Sequence, residues 1–381
     1  MTQPRVLSIL ADLIRINSIN PAYEHGRPEE TIAAHIERIF KTRGIETWRQ
    51  EVSPGRPNLL AKLPGRGEGR VVLEAHVDTA SINGMTIEPF NPVIRDGKMY
   101  GRGACDTKGG LAAMINAVLS LNEARHTPPC EVWLSATADE EFSFQGVLKL
   151  CEGLKADAAI VAEPTELRAV IASKGVLRWR IRTRGKAAHS SKPHLGVNAI
   201  AHMARIVLAI TAENEALAAN THPLLGPGTL NVGVIHGGVQ VNFVPDECAI
   251  EIDRRLLPGE RVVDVLAHHE RMLARFRAEI PGFDAIQEEP PILADEALET
   301  PAGAGVAITA SNVLRGMGLD GHLVGVPYGS DASKLARAGV PSIIFGPGSI
   351  DQAHAAVEWV ECDQVVKAAE FIRKFLMEFQ V

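Results

Sequence analysis

The chain has 381 residues, 46% of them hydrophobic. That is too much for one small core, so two domains are the expectation. A formal net charge of -7 does not suit a nucleic-acid surface. No apolar run approaches the ~18 residues of a membrane span, nor the apolar stretch of a signal peptide. The five cysteines, Cys105, Cys130, Cys151, Cys248 and Cys362, form no close pairs and read as free thiols in a reducing cytoplasm.

Helix-period apolar spacing predicts helices over 4–16 and 29–43. Strand-like runs follow at 58–63, 71–76, 131–137 and 158–162, with a helix rich in Ala, Leu and Met over 109–122. This alternation predicts an α/β domain with a mixed, mostly parallel central sheet flanked by helices. The pattern changes near Lys174. Residues 176–184, VLRWRIRTR, alternate apolar and basic, as in a strand with one wet face. A helix near 196–212, the strands TLNVGVIHGG and CAIEIDRRL, a helix near 260–279 and the strand FDAIQEE follow. The order β-α-β-β-α-β predicts an inserted ferredoxin-like α+β domain over 175–289. The α/β pattern then returns, with a helix over 300–316, strands in GHLVGV and PSIIFGPG, and a helix over 362–379. Residues 1–174 and 290–381 are therefore expected to form one catalytic domain.

His76, Asp106, Glu141, Glu163 and His354 each follow an apolar run or open a Gly-rich turn. In EAHVDTA, His76 and Asp78 are two residues apart and share one side of a strand. A carboxylate there can accept the proton of the second imidazole nitrogen and make the ring a stronger ligand. GRGACDTKGG sets Asp106 in a glycine-rich turn entering a helix, where one carboxylate can bridge cations ~3.5–4 Å apart. Lys108 is followed by Gly109 rather than Ser or Thr, which argues against a phosphate loop. In ATADEEFSFQG, three acids end an apolar strand, a costly arrangement at a buried edge unless cations compensate. Neighbouring side chains diverge, so Glu141 can bind metal while Glu140 reaches an attacking water. Glu163 follows a strand stopped by Pro164, and His354 follows a Gly-Pro-Gly turn. Each signal alone is weak. Five on one expected edge of an α/β sheet read as a di-metal hydrolase. His189, just past a strand in RGKAAHSSKP, reads by its own setting as a surface turn residue.

The segments HVDT, GRGACDTKGG, ADEE, AEPT and GPGSIDQAH, in this order, resemble one family over essentially the whole chain. It is the di-zinc amidohydrolase and metallopeptidase family of acetylornithine deacetylase, succinyl-diaminopimelate desuccinylase, aminoacylase and glutamate carboxypeptidase. The resemblance implies two Zn2+, with Co2+ or Mn2+ acceptable to such oxygen-rich sites. His76, Glu163 and the shared Asp106 would hold one ion. His354, Glu141 and Asp106 would hold the other. Asp78 would orient His76, and Glu140 would act as general base and later as proton donor. The inserted domain would be a lid that forms a homodimer through 175–289, with His189 reaching the partner's site as an oxyanion donor. Asn242, Arg255, Gly329 and Ser330 match substrate-contacting positions. A cis peptide is expected at Asp106-Thr107. The implied substrate is an N-acyl amino acid or short peptide. Cys105 and GPGSIDQAH lean toward acetylornithine deacetylase, while FSFQG and YGSDASKL depart from it and leave desuccinylase, aminoacylase and dipeptidase or carboxypeptidase activities open. A non-catalytic relative fits poorly with an intact Glu140, and a phosphate-handling di-metal enzyme fits the ligands but not the motif order.

Overall fold

The computed structural model describes residues 3–381. The chain forms two compact units. The first comprises Met1–Ile171, Thr300–Val324 and Ser330–Val381, and the second Ala172–Glu299 with Gly325–Gly329. The second unit runs beyond the expected 175–289 because two short strands extend it. Leu293–Asp295 pairs with residues 176–178, and Leu298–Glu299 pairs with Ser173 and Ala172.

The sheet of the first unit follows the order Glu46–Ser53, Arg56–Leu63, Glu131–Thr137, Arg70–His76, Ala158–Val161, Ser342–Ile344 and Val170–Ser173. The four strands from Glu131–Thr137 to Ser342–Ile344 are mutually parallel. The pairings on either side are antiparallel. The sheet is mixed as expected, but parallel pairing is confined to the centre, which corrects the mostly parallel expectation. Buried on both faces, these central strands read as continuous apolar runs such as AAIV. The strand Glu46–Ser53 escapes sequence patterning because it is a half-exposed edge with no clean alternation. It joins Arg56–Leu63 through a tight turn in which Gly55 adopts φ 75°.

Helix α1 is Arg5–Ile14, α2 Glu30–Lys41, α3 Lys108–Glu123 and α4 Gln145–Cys151. In α3, KGGLAAMINAVLSLNE is apolar nearly all round and almost wholly buried, the pattern of a helix enclosed on every side. In the second unit α5 is Ala199–Leu217 and α6 Val262–Glu279. Helices α7 (Gly305–Gly316), α8 (Ala332–Arg337) and α9 (Cys362–Glu378) complete the first unit. There α3 packs against α1 and α9, and Phe371 of α9 stacks on Phe345 at 3.9 Å between ring centroids.

The second unit carries the expected element order. Its sheet runs Thr229–Gly237, Glu247–Leu256, Gly175–Arg184 and Asp284–Gln287, all antiparallel. Leu177, Trp179 and Ile181 face a core with Met203, Ile250 and Leu273. The intervening Arg178 and Arg180 pair with Asp253 and Glu251 on the wet face. No helix among the described residues is long and apolar enough to cross a membrane.

Candidate metal centre

The four parallel strands lead into the candidate ligands at one edge of the sheet. His76 is the last residue of its strand, Glu163 lies two residues beyond Val161, and Glu141 lies just past Thr137. His354 follows the Ser342–Ile344 strand, and Asp106 sits two residues before α3. The α3 entry is tied directly to the strand end bearing Glu163. Thr107 Oγ1 donates to the Ala162 carbonyl at 2.9 Å. A Cβ on Gly110 would come within 2.6 Å of the Ala162 side chain, so only glycine permits this approach. The Asp106-Thr107 peptide is cis, as expected.

The ligand candidates fall into two triads sharing Asp106. His76 Nε2 lies 3.1 Å from Asp106 Oδ1 and 4.0 Å from Glu163 Oε1. His354 Nε2 lies 3.3 Å from Asp106 Oδ2 and 3.0 Å from Glu141 Oε2. Within each triad the donor atoms all lie within 4.8 Å of one another. Asp106 thus turns one oxygen to each side. His76, Asp106 and Glu163 are buried, whereas the His354 side chain is 57% exposed.

The electrostatics show what this cluster requires. Burial pushes Glu163 well above the usual carboxylate range, raises Glu141, and lifts Glu140 to about 8. Neighbouring carboxylates add to each shift. Burial opposes charge on His76, yet its hydrogen bond to Asp106 and the surrounding acids hold it well above the usual histidine range. Hydrogen bonds to Asp106 and Glu141 raise His354 to about 10. Burial alone would raise Asp106, but the two histidines hold it below the usual carboxylate range. Without cations, protons must supply the missing positive charge. Imidazole nitrogens and carboxylate oxygens at this spacing fit two divalent cations, whose binding would displace those protons.

Asp78 acts differently from the expectation. His76 Nδ1 faces the backbone carbonyl of Asp78 at 2.9 Å, while the nearest carboxylate oxygen is 3.7 Å away. The carbonyl, not the carboxylate, therefore orients the ring and leaves Nε2 toward Asp106. The Asp78 carboxylate instead accepts the backbone N–H groups of Glu140 and Glu141, each at 3.1 Å. Asp139, at φ 71°, makes the turn that aims them.

Glu358 was not singled out by its sequence. It is fully buried and accepts N–H groups from Gly103, Cys105 and Asp106 at 3.0, 2.9 and 3.1 Å. Arg102 Nη1 pairs with it at 2.7 Å. Glu358 thereby holds the turn that presents Asp106. Its only signal was one acid within the run AAVEWV.

Five further residues were expected in the second unit or at its border. His189 is exposed on the short Ala188–His189 strand, opposite Phe243, with Nδ1 2.8 Å from Ser191 Oγ. The Asn242 carbonyl accepts Ser190 N at 3.0 Å, so His189 and Asn242 lie in neighbouring segments. Arg255 is half-buried and donates to Asp253 at 2.9 Å. Gly329 closely approaches Asp295. Ser330 belongs to the first unit and is fully buried, its Oγ accepting Ala332 N at 3.3 Å at the start of α8.

The family model described as Peptidase family M20/M25/M40 matches residues 72–378. The acetylornithine deacetylase of Vibrio campbellii is 30% identical over 397 residues, covering 100% of both chains. That of Pectobacterium atrosepticum is 32% identical over 330 residues, covering 84% of this chain and 83% of the relative. An aminopeptidase from Bacillus cereus has a similar fold, with a TM-score of 0.80 and 24% identity, covering 100% of this chain and 99% of that one. A metallo-carboxypeptidase from Sulfolobus solfataricus gives a TM-score of 0.78 at 19% identity, covering 99% of both. The chain belongs to peptidase family M20/M25/M40, and its reaction is metal-dependent hydrolysis of an amide bond.

Proposed function

We propose that the protein deacylates an N-acyl amino acid in the manner of an acetylornithine deacetylase, using two Zn2+ with Co2+ or Mn2+ as acceptable substitutes. One observation carries this reading: Asp106 presents Oδ1 to His76 and Oδ2 to His354, and each histidine has its own carboxylate. His76, Glu163 and Asp106 would hold one ion, and His354, Glu141 and Asp106 the other. A bound pair polarises a carbonyl and acidifies water. Glu140 belongs to neither triad. As general base it takes a proton from the attacking water. As the C–N bond breaks, it returns that proton to the leaving nitrogen. Asp78 holds the Glu140 backbone during both transfers.

The second unit is proposed as a lid and as the site of homodimerisation through residues 175–289. Its edge strand Thr229–Gly237 leaves Val234 and Ile235 exposed beside an open row of backbone groups, which suits pairing with a second copy. In that dimer His189 donates to the oxyanion at the partner's site. Asn242, Arg255, Gly329 and Ser330 contact substrate, with the Arg255 guanidinium suited to its carboxylate. The five free cysteines favour a reducing cytoplasm.

The test is turnover of N-acetylornithine, N-succinyl-diaminopimelate, other N-acyl amino acids and dipeptides, before and after chelation. Amine release that disappears with the metal and returns with Zn2+ is expected, N-acetylornithine being the best substrate. Undiminished turnover after complete metal removal would overturn the reading.

His189→Ala is expected to lose ~10²–10³ in rate, the effect of one oxyanion donor, while keeping metal and dimer. Mixing His189→Ala with Glu140→Gln subunits should restore activity, since one mixed site then has both an intact base and a partner's intact histidine. No recovery despite verified subunit exchange would remove His189 from the partner's site.

A further inference from the structure

The turn that carries Glu140 is held from behind by residues outside every motif. Asn20 is fully buried. Its Nδ2 donates to Asp78 Oδ2 at 2.8 Å and to Asp139 Oδ1 at 3.0 Å. A side-chain amide nitrogen has two hydrogens, so both are used. The amide orientation is set by the opposite end, where Oδ1 accepts Ala22 N at 3.0 Å. The Asn20 backbone N–H donates to the Thr79 carbonyl at 2.9 Å, tying this loop beside Asp78.

Arg56 closes the other side. Its Nη2 donates to Asp139 Oδ1 at 2.8 Å. The same guanidinium grips Glu29 with two bonds, at 2.6 and 2.8 Å. Asp139 and Glu29 are both buried. One guanidinium and one amide therefore hold Asp78, Asp139 and Glu29 together. Asp78 receives the N–H groups of Glu140 and Glu141, and the Asp139 carbonyl receives those of Ser143 and Phe144 at 3.2 and 2.7 Å. Without the Asn20 donors, the Asp78 and Asp139 carboxylates would face each other with no hydrogen between them, and the turn would have reason to open.

We infer that Asn20, braced by the Arg56–Glu29 pair, is a positioning residue for Glu140. It sets the backbone of residues 139–141 through Asp78 and Asp139, and so sets where the Glu140 carboxylate meets water. Proton transfer requires approach to about 2.6–3.2 Å, which a shifted turn would not deliver. This inference rests on Glu140 being the base.

Asn20→Asp preserves shape and removes both donors. Asn20→Ser keeps at most one donor without adding charge, and decides the matter if the Asp variant does not fold. The measurements are kcat, KM, ions per chain by elemental analysis, and the visible spectrum of the Co2+-loaded protein. In folded, fully loaded protein, kcat should fall ~10–100-fold, the usual effect of a partner one shell removed. KM should stay near wild type. The Co2+ band should shift, because Glu141 moves with the same turn. Arg56→Lys retains the charge but not the fork, so it should show a smaller loss than Arg56→Met. An unchanged kcat per loaded chain and an unchanged Co2+ spectrum, with only a lower Tm, would reduce Asn20 to a structural tether. An inactive Glu140→Gln beside fully active Asn20 variants overturns this inference alone. An active Glu140→Gln removes the base assignment on which it depends.

Discussion

Glu140→Gln is expected to keep both cations and lose roughly 10²–10⁴-fold in turnover, the contribution of a positioned general base. Glu140 stands outside both ligand triads, so the substitution leaves every donor atom in place. Its backbone N–H remains on Asp78 at 3.1 Å, and an amide has nearly the size of a carboxylate. Only the capacity to accept a proton is lost. Metal content and rate should be measured on the same preparation. A fully loaded variant whose loss in turnover is smaller than even the low end of that range, ~10²-fold, would show that another group takes the proton.

Asp106→Asn should have the larger effect. Asp106 Oδ1 lies 3.1 Å from His76 Nε2, and Oδ2 lies 3.3 Å from His354 Nε2. An asparagine keeps the shape but replaces one oxygen with an N–H donor that cannot bind a cation. One triad loses a ligand, and both lose the shared negative charge that offsets the repulsion between two cations. Turnover should drop to that of chelated wild type, a loss well beyond the ~10–100-fold typical of an outer-shell partner. Elemental analysis should find fewer than two ions per chain. Full loading at a normal rate would show that Asp106 bridges nothing. Glu358 should still hold the loop, because its bonds go to the Asp106 backbone.

The candidate ligands His76, Asp106, Glu141, Glu163 and His354 were legible in the chain, and the fold gathers them into two triads. A strand buried on both faces reads as a near-continuous apolar run, so the polar residues His76, Glu141 and Glu163 at or just past strand ends are local signals. The enclosed helix α3 and the alternation of residues 176–184 were legible for the same reason. Tertiary structure decided the pairing of the flanking strands, since the antiparallel edges depend on contacts between distant segments. It also decided what Asp78 does. The two-residue period places His76 and Asp78 on one side only while the strand continues, and the strand stops at His76. Beyond it the chain turns, so the Asp78 carbonyl reaches the imidazole and the carboxylate is released to hold Glu140. Asn20, Arg56 and Glu358 act across separations of 58, 83 and 252 residues from Asp78, Asp139 and Asp106. No local pattern marks such residues, because only packing brings their side chains to the backbone that carries the site.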